Sequence, residues 1–255
     1  MSKPESSFRI VIPARYGSTR FPGKALADLD GWPVIRHVHE RALASGAAEV
    51  IIATDDRRIA DAAGGFGAQV AMTRADHETG TDRTAEVAER LGWDGTDIVV
   101  NVQGDMPFIP SRDIAQVAGL LAGNETAALA TLCTPIEDER EYADAHVVKV
   151  VFDSTGRALY FSRASIPARA HGQGELPGAW RHVGIYAYRV DALCRLTQTP
   201  PCRLERTEKL EQLRALWIGM NVLVAVAADA LGPDIDTPAD LAAAERFIGR
   251  CREDH

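Results

Sequence analysis

Four short apolar runs rich in β-branched residues recur through the first hundred positions, and stretches of helical spacing separate them. The runs are Phe8–Pro13, Glu49–Thr54, Gln69–Met72 and Ile98–Val102. Pro33–Ala44 carries Val34, Ile35, Val38 and Leu43 at helical spacing and stops at Gly46. Arg57–Phe66 reads as a helix closed by glycines, and Thr81–Leu91 reads as another. Mostly apolar runs suit buried strands, and their alternation with helices builds βαβ units around a mostly parallel sheet. Ser111 reads as the cap of a further helix through about Ala122.

The rhythm changes after that helix. Ala127–Thr134, Val147–Asp153, Leu159–Ser162 and Val183–Tyr188 read as strands, with a turn at Ser154-Thr155-Gly156. Ala168–Ala179 lacks periodicity and reads as a mobile loop. Glu205–Trp217 reads as one strong helix with Leu210, Leu213, Leu216 and Trp217 on one side. Val222–Ala227 returns to the sheet. Thr237 then caps the last helix, with Pro238 in its first turn and Asp240 complementing its dipole. The expectation is a single domain over 1–255. It is an α/β core, a mostly parallel sheet flanked by helices, with a β-rich insertion around 130–190.

Composition narrows the function classes. A chain of 255 residues that is 46% hydrophobic can bury a sizeable core. A net charge of −8 and a pI near 5.4 argue against a broad nucleic-acid surface. Cys133, Cys194, Cys202 and Cys251 form no CxxC pair, which favours a reduced protein over a disulfide framework or zinc site. No apolar segment approaches the roughly 20 residues of a membrane span, and the opening MSKPESS lacks a signal-peptide apolar core. The expectation is a soluble cytoplasmic protein.

Against that acidic background the first loop is basic. Arg15, Gly17, Ser18, Thr19, Arg20, Gly23 and Lys24 follow the first strand, and such a loop can cradle a polyphosphate with amides and cations. It is not a Walker loop, since no GxxxxGK[ST] is present. Asp105 stands after Gly104 where a buried strand ends, the edge at which open α/β sheets bind ligands. Asp236 stands at a similar late junction. Two carboxylates brought together beside a polyphosphate would hold Mg²⁺, whereas each alone reads as a turn or capping residue.

Taken in order, IPARYGSTRFPGK, ATDD, MTRADHETGTDR, NVQGD, VVKVVFD, ALYFSRASIP, RHVGIYAYR, LERTEKLEQLRALW and DIDTPADL make a family resemblance. The chain resembles the CMP-KDO synthetase (3-deoxy-manno-octulosonate cytidylyltransferase) family over nearly its whole length. The resemblance implies a nucleotide-diphospho-sugar transferase fold, CTP, Mg²⁺ and a homodimer assembled through the insertion. It implies CMP transfer to an acidic sugar with release of pyrophosphate.

Carried over residue by residue, Arg15, Arg20 and Lys24 match the triphosphate loop. Arg74, Thr79 and Gln103 match motifs reading cytosine and ribose, and Asp105 and Asp236 match the metal ligands. Arg163, His182, Tyr186, Glu211 and Gln212 match motifs facing the acidic sugar. Each has a plain structural reading beside this one: Arg163 and His182 as partners of backbone carbonyls, Tyr186 as core, Glu211 as half of an ion pair with Arg214. Two positions depart from the family pattern. Met106 stands where the family has an acidic residue, and Asp144-Ala145-His146 replaces an NPN turn. They leave open another small acid acceptor, such as a modified octulosonate or a phosphonate. A nucleotide-binding protein without turnover is the alternative of another class.

Overall fold

The computed structural model describes residues 7–169, 176 and 178–253. The chain begins with β1 (Phe8–Ala14), the short β2 (Asp28–Leu29) and β3 (Trp32–Pro33), and α1 (Val34–Leu43). There follow β4 (Glu49–Thr54), α2 (Arg57–Gly65), β5 (Gln69–Met72), α3 (Gly80–Arg90), β6 (Ile98–Asn101) and α4 (Ser111–Ala122). The second half holds β7 (Leu129–Pro135), α5 (Glu139–Ala143), β8 (Lys149–Phe152), β9 (Ala158–Ser162) and β10 (Trp180–Arg189). It ends with α6 (Val190–Gln198), α7 (Arg203–Glu208), α8 (Gln212–Trp217), β11 (Val222–Val226) and α9 (Pro238–Glu253).

The central strands lie in the order β11-β7-β10-β6-β1-β4-β5. β1 pairs in parallel with β4 and β6, β4 with β5, and β7 with β11. β10 runs antiparallel to both β6 and β7. On this path β10 alone opposes the rest, so the loops leaving β1, β4, β5, β6 and β11 emerge at one edge.

Burial explains why these runs are strands. Ile10 and Ile12 of β1 point into a core with Ile35 and Val38 of α1, Ile59 of α2 and Ile114 and Val117 of α4. Val11 points the other way, into a core with Val87 of α3, Leu193 of α6 and Leu213 of α8. All three β1 residues are fully buried, and each such side chain contributes about 1.5–3 kcal/mol by leaving water. α9 packs separately, with Ala244 against Leu29, Val34 and Ile235.

The second half differs from expectation in instructive ways. Glu205–Trp217 is two helices, because Lys209 takes a left-handed conformation (φ 55°, ψ 45°) between α7 and α8. Arg214 of α8 bonds back to Glu205 of α7 through Nε (2.8 Å) and Nη2 (2.5 Å), bracing the break. Ser111 does not cap α4. Pro110 holds the cap position, and the Ser111 hydroxyl donates to the Arg41 carbonyl at 2.8 Å. Of the stretch 130–190, β7 and β10 belong to the central sheet, and only the β8–β9 hairpin branches from β10. In the loop expected over 168–179, residues 170–175 and 177 lie outside the described residues.

Candidate active site

The strand ends meet around a cavity of about 420 Å³ lined by the 15–24 loop, the 77–83 segment, Gln103, Gly104, Asp105, Glu211 and Asp236. The loop after β1 doubles back because the Tyr16 carbonyl accepts the amides of Ser18 and Gly23, both at 2.9 Å. Gly23 has φ +75°, and a Cβ there would stand 3.0 Å from the Tyr16 ring. Tyr16 is itself covered by the Arg58 guanidinium 3.3 Å from its centroid, which Asp56 holds at 2.9 and 2.6 Å. A single tight turn, Lys24–Leu26, then carries Lys24 inward.

Lys24 Nζ donates to Asp105 Oδ2 at 2.6 Å and to Asp236 Oδ1 at 3.0 Å. Arg20 donates to the other Asp236 oxygen at 2.9 Å. Burial opposes charge on Lys24, yet Asp105 and Asp236 outweigh it and hold the ammonium above its ordinary pKa. The two acidic loops are joined directly, since the Ile235 amide donates to the Asp105 carbonyl at 2.9 Å. Asp240 fixes the start of α9 by accepting the amides of Asp236 (3.1 Å) and Thr237 (2.8 Å). Gly104 must lack a side chain here, because a Cβ would meet the Pro13 carbonyl oxygen at 2.9 Å.

Arg15 stands exposed at the rim, and Gln103 lines the floor. Thr79 is the N-cap of α3 in a reciprocal arrangement with Asp82. Thr81 donates to Glu211 Oε2 at 2.5 Å, bringing α8 to the cavity. Burial pushes the Glu211 carboxyl up, against the Thr81 hydroxyl and Arg214, which favour its charged form.

Several expected residues sit elsewhere. The Arg74 guanidinium pairs with Asp76 at 2.9 Å and lines a neighbouring cavity instead. Arg163 gives Nε to the Glu208 carbonyl (2.7 Å) and Nη1 to the Ala145 carbonyl (3.0 Å), and it does not line the cavity. His182, Tyr186 and Gln212 do not line the cavity. The Thr131 hydroxyl donates to the Ile185 carbonyl at 2.7 Å, which leaves His182 Nε2 to donate to Thr131 Oγ1 at 3.0 Å. Enclosure away from water, with Arg181 adjacent, lowers the His182 pKa to about 3. Tyr186 pairs across the sheet with Asn101. Among the described residues, Tyr186 Oη, Asn101 Oδ1 and Glu211 Oε1 are buried without a hydrogen-bond partner. Such atoms cost about 1–3 kcal/mol each until something polar reaches them.

The departures from the family pattern are absorbed. Met106 is 5% exposed and joins the core under β1, away from the cavity lining. The 144–146 turn closes through Asp144 Oδ1 and the His146 amide at 2.7 Å. The structure also adds residues that the sequence reading passed over: Thr81, Arg83 and, near the acidic pair, Asp234. Asp234 is exposed by surface area, and desolvation by the protein around it, with the fields of Asp105 and Asp236, pushes its carboxyl up. Its place two residues before Asp236 was the available signal.

Asp105 and Asp236 converge on one point, now held by an ammonium, so a hard divalent cation fits the donor set. Among the described residues no group of three or more His, Cys, Asp or Glu side chains gathers to hold a metal. Two carboxylates with the remaining positions left to phosphate and water suit a divalent cation that arrives with its substrate rather than an all-protein cage. Among the described residues no helix is long and apolar enough to cross a membrane.

Comparison with known proteins gives the family. A cytidylyltransferase family profile matches residues 9–222. The 3-deoxy-manno-octulosonate cytidylyltransferase of Thioalkalivibrio sulfidiphilus is 53% identical over 247 residues, covering 95% of this chain and 99% of the relative. Its namesake in Halorhodospira halophila is 51% identical over 259 residues, covering 99% and 100%. A solved CMP:2-keto-3-deoxy-manno-octonic acid synthetase in complex with CTP superposes with a TM-score of 0.89 at 44% identity, covering 96% of this chain and 99% of that one. A family profile over most of the chain, and relatives about half identical along nearly its whole length, place the chain in the cytidylyltransferase family of nucleotidyltransferases.

Proposed function

We propose that this protein transfers CMP from CTP to 3-deoxy-manno-octulosonate, with Mg²⁺, releasing pyrophosphate. The observation that carries the reading is Lys24 between Asp105 and Asp236, beside the basic 15–24 loop. The names of the relatives support the acceptor, and the burial of Met106 removes the sequence reason to prefer another acid.

The acceptor hydroxyl attacks the α-phosphorus in line and the bond to the β-phosphate breaks. Such transfer asks the protein for position and charge more than for covalent work. Arg15, Arg20 and Lys24 receive the triphosphate: the guanidiniums as forks, Lys24 as a point charge on oxygens where negative charge develops. Asp105 and Asp236 would hold the Mg²⁺, which neutralises phosphate charge and acidifies a hydroxyl it contacts. Thr79 and Gln103 meet the nucleoside. Glu211 lines the cavity with its Oε1 unpaired, which favours a polyhydroxylated acceptor that brings donors. We further infer one domain acting in the cytoplasm as a homodimer through the β8–β9 side.

Pyrophosphate release from CTP, with and without candidate acids, tests the reading. Release with 3-deoxy-manno-octulosonate and Mg²⁺ is expected. CTP binding with no release for any octulosonate would reduce the protein to a nucleotide-binding one.

A further inference from the structure

The 73–79 segment leaves β5 and forms one wall of the cavity, where His77, Glu78 and Thr79 line it. The Thr73 amide donates to the Thr54 carbonyl of β4 at 2.8 Å, and the rest of the anchoring comes largely from α3. Arg83, 3% exposed, donates through Nη1 to the Thr73 hydroxyl at 2.6 Å and to the Arg74 carbonyl at 3.1 Å. Its Nη2 stands 3.1 Å from Asp55 at the end of β4. Glu86, one turn further along, accepts the Arg74 amide at 3.0 Å and meets His77 Nε2 at 2.5 Å with the same oxygen. Its other oxygen accepts from Arg90 at 3.2 Å, and Arg90 also bonds the Met72 carbonyl. Both backbone groups of Arg74 are thus gripped by charged side chains of one helix face, at the spacing that puts residues three apart side by side.

That is more anchoring than a surface loop needs. Charge-assisted bonds are the strong ones, and keeping Arg83 and Glu86 out of water has its own cost. The Arg74 side chain takes no part in the cavity, so what the grip fixes is the course of the backbone toward His77, Glu78 and Thr79. Those three positions bring the Glu78 carboxylate and main-chain groups to the cavity, while the Thr79 hydroxyl is tied to Asp82 and His77 Nε2 to Glu86. Cytosine offers an amino donor and a bare ring nitrogen where uracil offers a carbonyl and an N–H. Such a wall tells the two apart only if its atoms cannot move to suit either, because discrimination comes from leaving a polar group unpaired.

We propose that Arg83 and Glu86 are positioning residues that set the 73–79 wall and thereby select cytidine over uridine triphosphate; this rests on the reading that the cavity takes CTP. Glu86 acts only through the backbone it holds, whereas Arg83 also borders the cavity, so Glu86→Gln reads the positioning role by itself.

The test is calorimetric titration of the full-length protein with CTP and with UTP, in Mg²⁺, for wild type, Arg83→Met, Arg83→Lys and Glu86→Gln. Turnover at saturating CTP and thermal melting are measured alongside. Glu86→Gln and Arg83→Met should weaken CTP binding about 10- to 100-fold, the scale of a small misplacement, while UTP binding moves by less than about threefold. The CTP:UTP ratio collapses, and kcat falls far less than 1/Kd. Arg83→Lys keeps the charge without the fork and falls between. A folded variant that keeps its CTP:UTP ratio overturns the proposal, as does one that loses both nucleotides equally. If Arg83→Met fails to melt cooperatively, the isosteric Glu86→Gln decides alone. A wild-type protein that binds neither nucleotide sinks the underlying reading instead, which is a distinguishable result.

Discussion

Replacing Lys24 by methionine keeps the aliphatic stem and removes the charge that faces both acidic loops. The structure sets the size of the effect. The bond to Asp105 joins groups 17% and 25% exposed, so it carries the worth of a charged hydrogen bond, about 1.5–3 kcal/mol. Asp236 is 39% exposed, so its share is screened to below about 1 kcal/mol. Losing both, partly offset by the ammonium's own desolvation, leaves a deficit of about 2–3 kcal/mol, or roughly 4–10 °C in Tm for a chain of this size. The folded protein holds the Lys24 proton more tightly than the unfolded chain does. The deficit is therefore complete below the ordinary lysine value of 10.5 and shrinks as pH rises past it. Turnover should fall by about 10²-fold or more, as for loss of one preorganised charge stabiliser. Melting by circular dichroism from pH 7 to 11 and pyrophosphate release at saturating CTP measure both. A variant that melts with wild type and loses less than about threefold in kcat would show that Lys24 is only a rim residue.

Asp105→Asn should leave the fold intact, since its carbonyl bond to Ile235 remains, but abolish metal-dependent turnover; unchanged turnover would remove Asp105 from the mechanism. Glu211 is buried with its carboxyl pushed up, so ionising it costs stability as pH rises above the ordinary 4.5. Glu211→Gln should accordingly melt higher at pH 8 while raising the acceptor KM, and a lower Tm there would contradict the cause given for the shift. His182 is held neutral, with a pKa near 3 against an ordinary 6.5, so stability is full above 6.5 and declines as pH falls below it. The decline approaches about 1.4 kcal/mol per pH unit, and urea melts of His182→Gln should lack that slope.

The order of the longer strands and of the helices in the first half was legible because most of those strands are apolar on both faces and each helix on one, whereas the two-residue β2 and β3 left no such mark. The convergence of Asp105 and Asp236 was legible too, from a topological rule: strands of one direction deliver their following loops to one edge. The break at Lys209 was not. Leu210 and Leu213 keep helical spacing across it, and a left-handed residue leaves no mark on hydrophobic periodicity. Its consequence is functional, since it turns α8 so that Glu211 reaches Thr81.

Arg163 and Met106 mark two different limits of the same reading. A guanidinium in a motif is drawn toward an anionic ligand in the mind of the reader, yet backbone carbonyls are everywhere and equally good partners. Here the Glu208 and Ala145 carbonyls take Nε and Nη1 of Arg163. Met106 is the converse. An apolar residue beside Asp105 looks like a damaged metal site until its burial in the core under β1 is known. A change on the core side of a strand-end loop alters packing, whereas the same change on the cavity side would alter the ligand set, and residue type alone cannot tell those sides apart. The carboxylate that does stand near the acidic pair, Asp234, comes from the other loop. Charge at this edge therefore has to be counted in space across both loops rather than along either one.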